Sequence, residues 1–200
     1  MRTVAILVAS GPSNLRANDL PPEVELWSMN MCHRFLKRPA QRWFQMHHRN
    51  HNMPSGYLAD TQQGPVGYFG RPKDHEEWLQ ACGIPVYMQE VDTLIPTSVR
   101  YPIEDVARRF GSYFTSTVAY MIALALHEGV DEILLLGIYL KTGPEYEKER
   151  PCVEYFLGAA RALGVRVVLP EGCDLTRAPL YAYSEFQDET LELESVEVLG

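Results

Sequence analysis

Apolar positions along this chain follow two rhythms. Short apolar runs, each closed by turn-forming residues, alternate with longer stretches in which apolar residues recur at helical spacing. The first run, Thr3 to Ala9, has no polar alternation and ends in Gly-Pro, as a strand buried on both faces of a parallel sheet does. Val24 to Asn30 predicts a second strand after the Pro21-Pro22 break, and Arg42 to His47 a third. Residues 49–73, rich in Asn, Gly, Pro and Gln, predict a long loop of the kind that is usually functional or mobile. Asp74 to Cys82 predicts a short helix stopped by Gly83, Pro85 to Glu90 a strand, and Pro102 to Phe110 a helix opened by proline. Ser112 is the expected cap of a helix running from Thr115 to His127, with Gly129 as its stop. Glu132 to Leu136 predicts a strand, Cys152 to Leu163 a helix, and Val165 to Leu169 a strand ended by Pro170.

Strands alternating with helices imply a mostly parallel sheet with helices on both faces, a three-layer α/β Rossmann-like domain. The expected organisation is one domain over residues 1–184 and an acidic tail over 185–200 that is disordered or packs on a partner. That tail carries six acids (Glu185, Asp188, Glu189, Glu192, Glu194, Glu197) and no base. Its alternating TLELESVEVL has the period of an edge strand, within the protomer or across a homo-oligomer. The apolar stretches, Val118 to Leu126 being the longest of the later ones, fall short of the roughly 20 residues of a membrane span. A cytoplasmic location is the default expectation.

Composition changes this picture little. An apolar content of 46% and a charged content of 22% suit a globular protein. Cys32, Cys82, Cys152 and Cys173 form no Cys-x-x-Cys pair, so they read as reduced packing residues rather than a zinc knuckle or disulfide scaffold. The net charge of −8 falls to −2 without the six tail acids. Arg34, Lys37, Arg38, Arg42 and Arg49 meet no acid between Met31 and Ala59. That block suits a local anion site or a solvated basic face, not a nucleic-acid surface.

In parallel α/β sheets, ligands bind beyond the carboxyl ends of the strands. The predicted ends are Ser10-Gly11-Pro12-Ser13, Ser28-Met29-Asn30, His47-His48, Gly137-Ile138-Tyr139 and Pro170-Glu171. All are polar or glycine-bearing. Gly11 allows close backbone approach, and Ser10 and Ser13 offer hydroxyls and amides to an anion. His47 and His48 are the acid/base candidates by place and titration range. The spacing of His47 and His51 also fits a metal pair on a helix, although no acid is near. Arg42, Lys141 and Arg150 are candidates for neutralising a phosphate.

Three ordered pieces carry a resemblance: a first strand ending in Gly-Pro-Ser, a second ending in WSMN, and YFTSTVAYMIALALHEGVDEILLLGI. Together they resemble the bacterial sialyltransferases of the Campylobacter type and the related domain of motility accessory factors. The later EYEKERPCVEYFLGAARALGVRVVLPE is similar to uncharacterised phage-encoded relatives of that fold. The resemblance covers residues 1–48 and 110–170. It implies that Ser10, Gly11, Pro12, Ser13, Asn30, Thr115, Ser116 and Gly137 surround the cytidine nucleotide of a donor sugar. A helix start with two hydroxyls suits a phosphate or a base carbonyl, and an Asn amide suits a ribose hydroxyl.

The departures are specific. The family has Asn at the Ser10 position, Gly at the Thr117 position and Asp at the Tyr139 position. No histidine occurs between His75 and His127, so the family's general base does not carry over. The expected function is a glycosyltransferase-like protein with a nucleotide or nucleotide sugar as its ligand and no certain cofactor. A non-catalytic nucleotide-sensing or sequestering phage protein is the alternative, and a metal-dependent hydrolase on the histidine cluster a distant third. Sialyl transfer by the family's chemistry is expected to be absent or very weak.

Overall fold

The computed structural model describes residues 1–8, 12–47, 73–138, 140, 146–176, 181–182 and 198–199. Among these, eight strands form one sheet: β1 (Thr3–Leu7), β2 (Glu25–Met29), β3 (Arg42–Phe44), β4 (Val86–Met88), β5 (Ser98–Arg100), β6 (Glu132–Leu136), β7 (Arg166–Pro170) and β8 (Val198–Leu199). Every pairing is parallel, in the order β5-β4-β3-β2-β1-β6-β7-β8. The chain builds outward from β1 to β5, then returns to lay β6 on the other side of β1. The loops after β1 and β6 therefore diverge to opposite sides, which opens a crevice at their carboxyl ends.

The sheet is a buried middle layer. All five residues of β1 and of β6 are buried, which is why both read as unbroken apolar runs. On one face, Ile6, Trp27, Phe44 and Leu135 pack against α2 (Ile103–Phe110), α3 (Thr117–His127) and α4 (Tyr146–Ala162). On the other, Leu7, Leu26, Trp43 and Leu136 pack against α1 (Lys73–Ala81) and two 3-10 segments, Pro12–Asn18 and Asn30–Arg34. No described helix is long and apolar enough to cross a membrane. All four cysteines are free.

The three-layer parallel α/β expectation therefore holds, with local corrections. β3 ends at Phe44 rather than His47. The cap of α3 is Ser116, whose Oγ accepts from the Ala119 amide, and the helix begins at Thr117 rather than following Ser112. α4 starts at Tyr146 and runs through Pro151, where the apolar pattern alone predicts a start at Cys152. A proline in a helix costs one backbone hydrogen bond, and burial of Cys152, Val153, Phe156 and Leu157 against the core outweighs it here. β5 escapes sequence detection because it is a three-residue strand with two exposed positions. Val198–Leu199 pair in parallel with Leu169 and Pro170 of the same chain, so for those two residues the expected edge strand within the protomer holds, and a disordered tail or one held by a partner does not. The loop expected over 49–73 lies almost wholly outside the described residues.

Candidate functional site

One side-chain hydrogen bond spans the crevice between β1 and β6. Beyond β1, the Val8 amide donates to the Leu136 carbonyl at 2.8 Å and keeps the two strands together. Ser13, buried in the 3-10 segment that follows, accepts from the Gly137 amide at 2.9 Å across a sequence separation of 124 residues. Gly137 has φ 71°, in the left-handed region that glycine enters without steric cost. Ser13 and the turn after β6 are thus joined.

The start of α3 faces the same edge. Ser116 satisfies one amide of its first turn, and the helix dipole leaves the others a positive end. The Thr115 hydroxyl donates to the Lys148 carbonyl at 2.8 Å, which ties this start to the first turn of α4. Arg150 lies two residues further on. Its guanidinium bonds Glu154 at 3.0 Å and both the side chain and the carbonyl of Asp174, beyond β7. Its charge is shared among acids, so it stands at the right edge without an uncommitted cation to offer.

At the end of β2, Asn30 has φ 50° and opens the 3-10 segment Asn30–Arg34. Its Oδ1 is buried and has no hydrogen-bond partner among the described residues. The register pairs Met29 with Phe44, the last residues of β2 and β3, and Gln45 is the first residue past β3. Gln45 is fully buried. Its Oε1 accepts from His75 Nε2 at 2.9 Å, while its Nε2 has no partner among the described residues. His75, on α1, is also fully buried, and its Nδ1 lies 3.4 Å from His33 Nδ1. His33 stacks on Trp78 at 4.7 Å between ring centres, and Trp78 packs on Trp43 at 4.3 Å. Burial pushes His33 below the ordinary imidazole range, against a ring hydrogen bond to the Asn30 backbone. Cys32, between them in sequence, has its thiol pushed up to about 11 by burial and stays protonated at neutral pH.

His47 lies two residues beyond Gln45 and lines a cavity of about 390 Å³ with Gln89, Glu90, Asp92 and Thr93, past the end of β4. Gln89 Nε2 donates to the Met46 carbonyl at 2.9 Å and fixes that wall. Ser10, Gly11, His48 and Lys141 lie outside the described residues, as does the side chain of Pro12, whose backbone opens the first 3-10 segment. Among the described residues no group of three or more His, Cys, Asp or Glu is placed to hold a metal.

Arg42 is the clear correction. It is the first residue of β3, at the amino edge of the sheet, and bonds Glu128 at 2.5 and 2.9 Å. The other described arginines of the basic block are engaged too. Arg34 bonds both oxygens of Asp74, and Arg38 donates to the carbonyls of Leu20, Pro21 and Val24. Their partners are 14 to 86 residues away in sequence, so a scan for acids nearby could not find them. For these three arginines the reading as a local anion site does not hold, and Arg49 lies outside the described residues. Gln45, His33 and His75 carry no site signal in the sequence reading above. The clue to Gln45 is its place just past the apolar RWF, hidden by running the strand on to His47.

Solved structures share the fold. The sialyltransferase CstII from Campylobacter jejuni in complex with the substrate analogue CMP-3FNeuAc is similar over 100% of this chain and 87% of its own, with a TM-score of 0.52 and 14% identity. A variant described as an alpha-2,3/8-sialyltransferase aligns over 99% and 87%, also at a TM-score of 0.52 and 14% identity. A variant of CstII in complex with CMP aligns over 87% and 82%, at a TM-score of 0.50 and 14% identity. No protein-family model matches the sequence, and no curated protein does. The class defined by this architecture is the sialyltransferase-like α/β fold. At this identity the likeness speaks to fold alone.

Proposed function

We propose that this protein binds a cytidine nucleotide or nucleotide sugar in the crevice between β1 and β6, as a glycosyltransferase-like protein. The observation that carries this reading is the Ser13–Gly137 hydrogen bond. It joins the Gly-Pro-Ser loop to the turn after β6 at the strand-order reversal, where sheets of this kind take nucleotides. The Ser116-capped start of α3 supplies amides and a positive helix end for phosphate. Asn30 stands at the end of β2, where a polar side chain reaches a ribose in related architectures. The support from neighbours is that CstII structures hold CMP or a CMP-sugar analogue.

Isothermal calorimetry with CMP, CMP-sialic acid and a panel of other nucleotides tests the reading. Saturable binding of a cytidine nucleotide supports it, and no binding by any nucleotide refutes it. A ligand at 100 times its Kd raises stability by about 2.7 kcal/mol, so a thermal-shift screen detects the same binding on a smaller sample.

One observation favours a non-catalytic nucleotide binder as the second reading. All six histidines lie at or before residue 127, and His127 ends α3 at the amino edge of the sheet. A histidine acting as proton acceptor in this site would have to come from the His33–His47 side. Incubation with CMP-sialic acid and galactoside acceptors, read by mass spectrometry, separates the two. Binding without transfer supports the second.

A further inference from the structure

Helix α1 docks on the sheet with a titratable group in its buried stripe. His75, Trp78 and Leu79 stand at i, i+3 and i+4, the spacing of one helix face. His75 and Leu79 are fully buried, and Trp78 is partly buried. An imidazole thus stands where an amphipathic helix ordinarily puts an aliphatic side chain. Across from it, His33 on the 3-10 segment Asn30–Arg34 brings its Nδ1 to 3.4 Å from His75 Nδ1. The two rings stack at 5.1 Å between centres and 22° apart, and His33 stacks on Trp78 in turn.

The contacts fix where the protons sit. Gln45 Oε1 only accepts, so His75 Nε2 carries the proton of that 2.9 Å bond, and a neutral His75 keeps Nδ1 as an acceptor. The neutral pair then closes with one proton between the two Nδ1 atoms, donated by His33. A proton added to His75 Nδ1 would set two N–H groups against each other at this distance and bury a charge. Among the described residues, the charged groups around the pair do not favour that proton. Arg34 bonds both oxygens of Asp74, and the two charges act on His33 in opposite directions. Against desolvation, the Arg34 hydrogen bond and charge hold Asp74 below the ordinary carboxyl range, so this ion pair stays charged at neutral and mildly acid pH. Glu76 is buried on α1, but residues one apart on a helix do not face each other, and Glu77 is exposed. Cys32 stays a thiol. On this face β3 and its end contribute Trp43 and Gln45, neither of which titrates. Burial pushes His33 below the ordinary imidazole range, in the direction that the geometry sets.

We infer that His33 and His75 form an acid-operated clasp: while neutral, the pair holds α1 and the 3-10 segment Asn30–Arg34 together, and proton uptake by both rings releases the helix. The sign follows from linkage. An opened imidazole takes a proton near its ordinary value of about 6.5, and the closed pair resists it. The contribution of the clasp is therefore complete above that value and is lost as pH falls through the lower folded ones. Each proton taken up on opening raises the opening equilibrium about tenfold per pH unit. The His33 ring also bonds the Asn30 backbone, so release loosens the chain at the end of β2. The inference stands apart from the nucleotide-binding reading, and it gives the His- and Trp-rich underside of α1 a role in the response to pH.

The test is hydrogen exchange of the α1 amides in the full chain without ligand, followed from pH 7 to pH 5 and corrected for the intrinsic rate. This window lies above the ordinary carboxylate range and isolates imidazoles. In the wild type the opening equilibrium of α1 is expected to rise between about ten- and a hundredfold per pH unit below about 6.5. His33→Phe keeps a ring on Trp78 and removes one of the two protons, so its slope should fall to about tenfold per unit. His33→Phe/His75→Phe should be flat. Nitrogen NMR of the folded wild type should show His75 as the Nε2–H tautomer at pH 7 and still uncharged at pH 6, where an ordinary imidazole is mostly protonated. The His33→Phe and NMR readouts decide the matter even where the double variant does not fold. Exchange from α1 that is unchanged between pH 7 and pH 5 overturns the inference. So does a slope that survives in either variant at the wild-type value, or a His75 that titrates near 6.5 with the fold intact.

Discussion

The two edges of the sheet use similar residues and treat them in opposite ways. At the amino edge, Arg2 bonds Glu25 and Glu128 at 2.8 Å each, and Arg42 bonds Glu128 and the Tyr87 hydroxyl. The Arg42 guanidinium also sits 4.4 Å from the Trp27 ring centre. Two arginines and two glutamates thus satisfy one another across β1, β2, β3 and the end of α3. At the carboxyl edge, Asn30 enters the left-handed region, its buried oxygen and the buried Gln45 NH2 have no partner among the described residues, and a helix presents its amide end. A closed polar network stabilises the fold and asks nothing of a ligand. An open one costs stability and is retained where something else completes it.

The largest expected effect is at the closed edge. Glu128→Ala leaves Arg2 and Arg42 facing each other with no shared carboxylate. Their side chains are 33% and 19% exposed, so the loss lies between the surface and buried limits, at about 2–3 kcal/mol. Chemical denaturation should report that loss, while nucleotide affinity stays unchanged. A variant that melts like wild type would show the network to be ornamental. The pH dependence has a definite sign. Burial pushes the Glu128 carboxyl up, but hydrogen bonds from Arg42 and Arg2 and their charges hold it below the ordinary glutamate range. The Arg2 hydrogen bond lowers Glu25 likewise, against desolvation. A depressed carboxylate contributes stability that is fully present above the unfolded value near 4.3 and lost as pH falls through the folded one. Denaturation midpoints measured from pH 7 to pH 3 should therefore fall steeply below about pH 4.5, and less steeply in Glu128→Gln.

At the open edge the signs reverse. Asn30→Ala should weaken CMP binding by about 1–3 kcal/mol. Its effect on stability should be small, since the alanine leaves no orphan oxygen buried. Unchanged affinity in the folded variant would remove Asn30 from the site. Ser116→Ala lies between these cases, because Ser116 serves both the fold and the helix end offered to a ligand. It should cost about 1 kcal/mol of stability, the usual worth of an N-cap, read as a shift in denaturation midpoint. The smallest effect is expected from the tail. Truncation after Ser184 removes the two paired residues of β8 and should cost on the order of 1 kcal/mol or less, the net worth of one or two hydrogen bonds. A loss several times larger would make the tail an integral layer of the fold.

Local physics determined a good deal from sequence alone. The unbroken apolar runs at 3–7 and 132–136 announced central strands buried on both faces. Alternation with helical stretches announced the parallel sheet, and Gly137 marked the turn after β6. Ser13, Asn30 and Gly137 stood at predicted strand ends, which are encoded within a few residues, whereas Thr115 and Ser116 were implied as nucleotide residues by the resemblance to the sialyltransferases. Tertiary structure decided which polar residues are spent and which are open. Nothing local to Arg42 reveals Glu128, 86 positions away, and nothing local to Gln45 reveals His75 behind it. The reason is that a strand's pattern reports its burial and its period, whereas hydrogen-bond satisfaction depends on partners brought in by register and crossover. The pairing of Met29 with Phe44, invisible in either strand by itself, brings the ends of β2 and β3 to one level of the sheet.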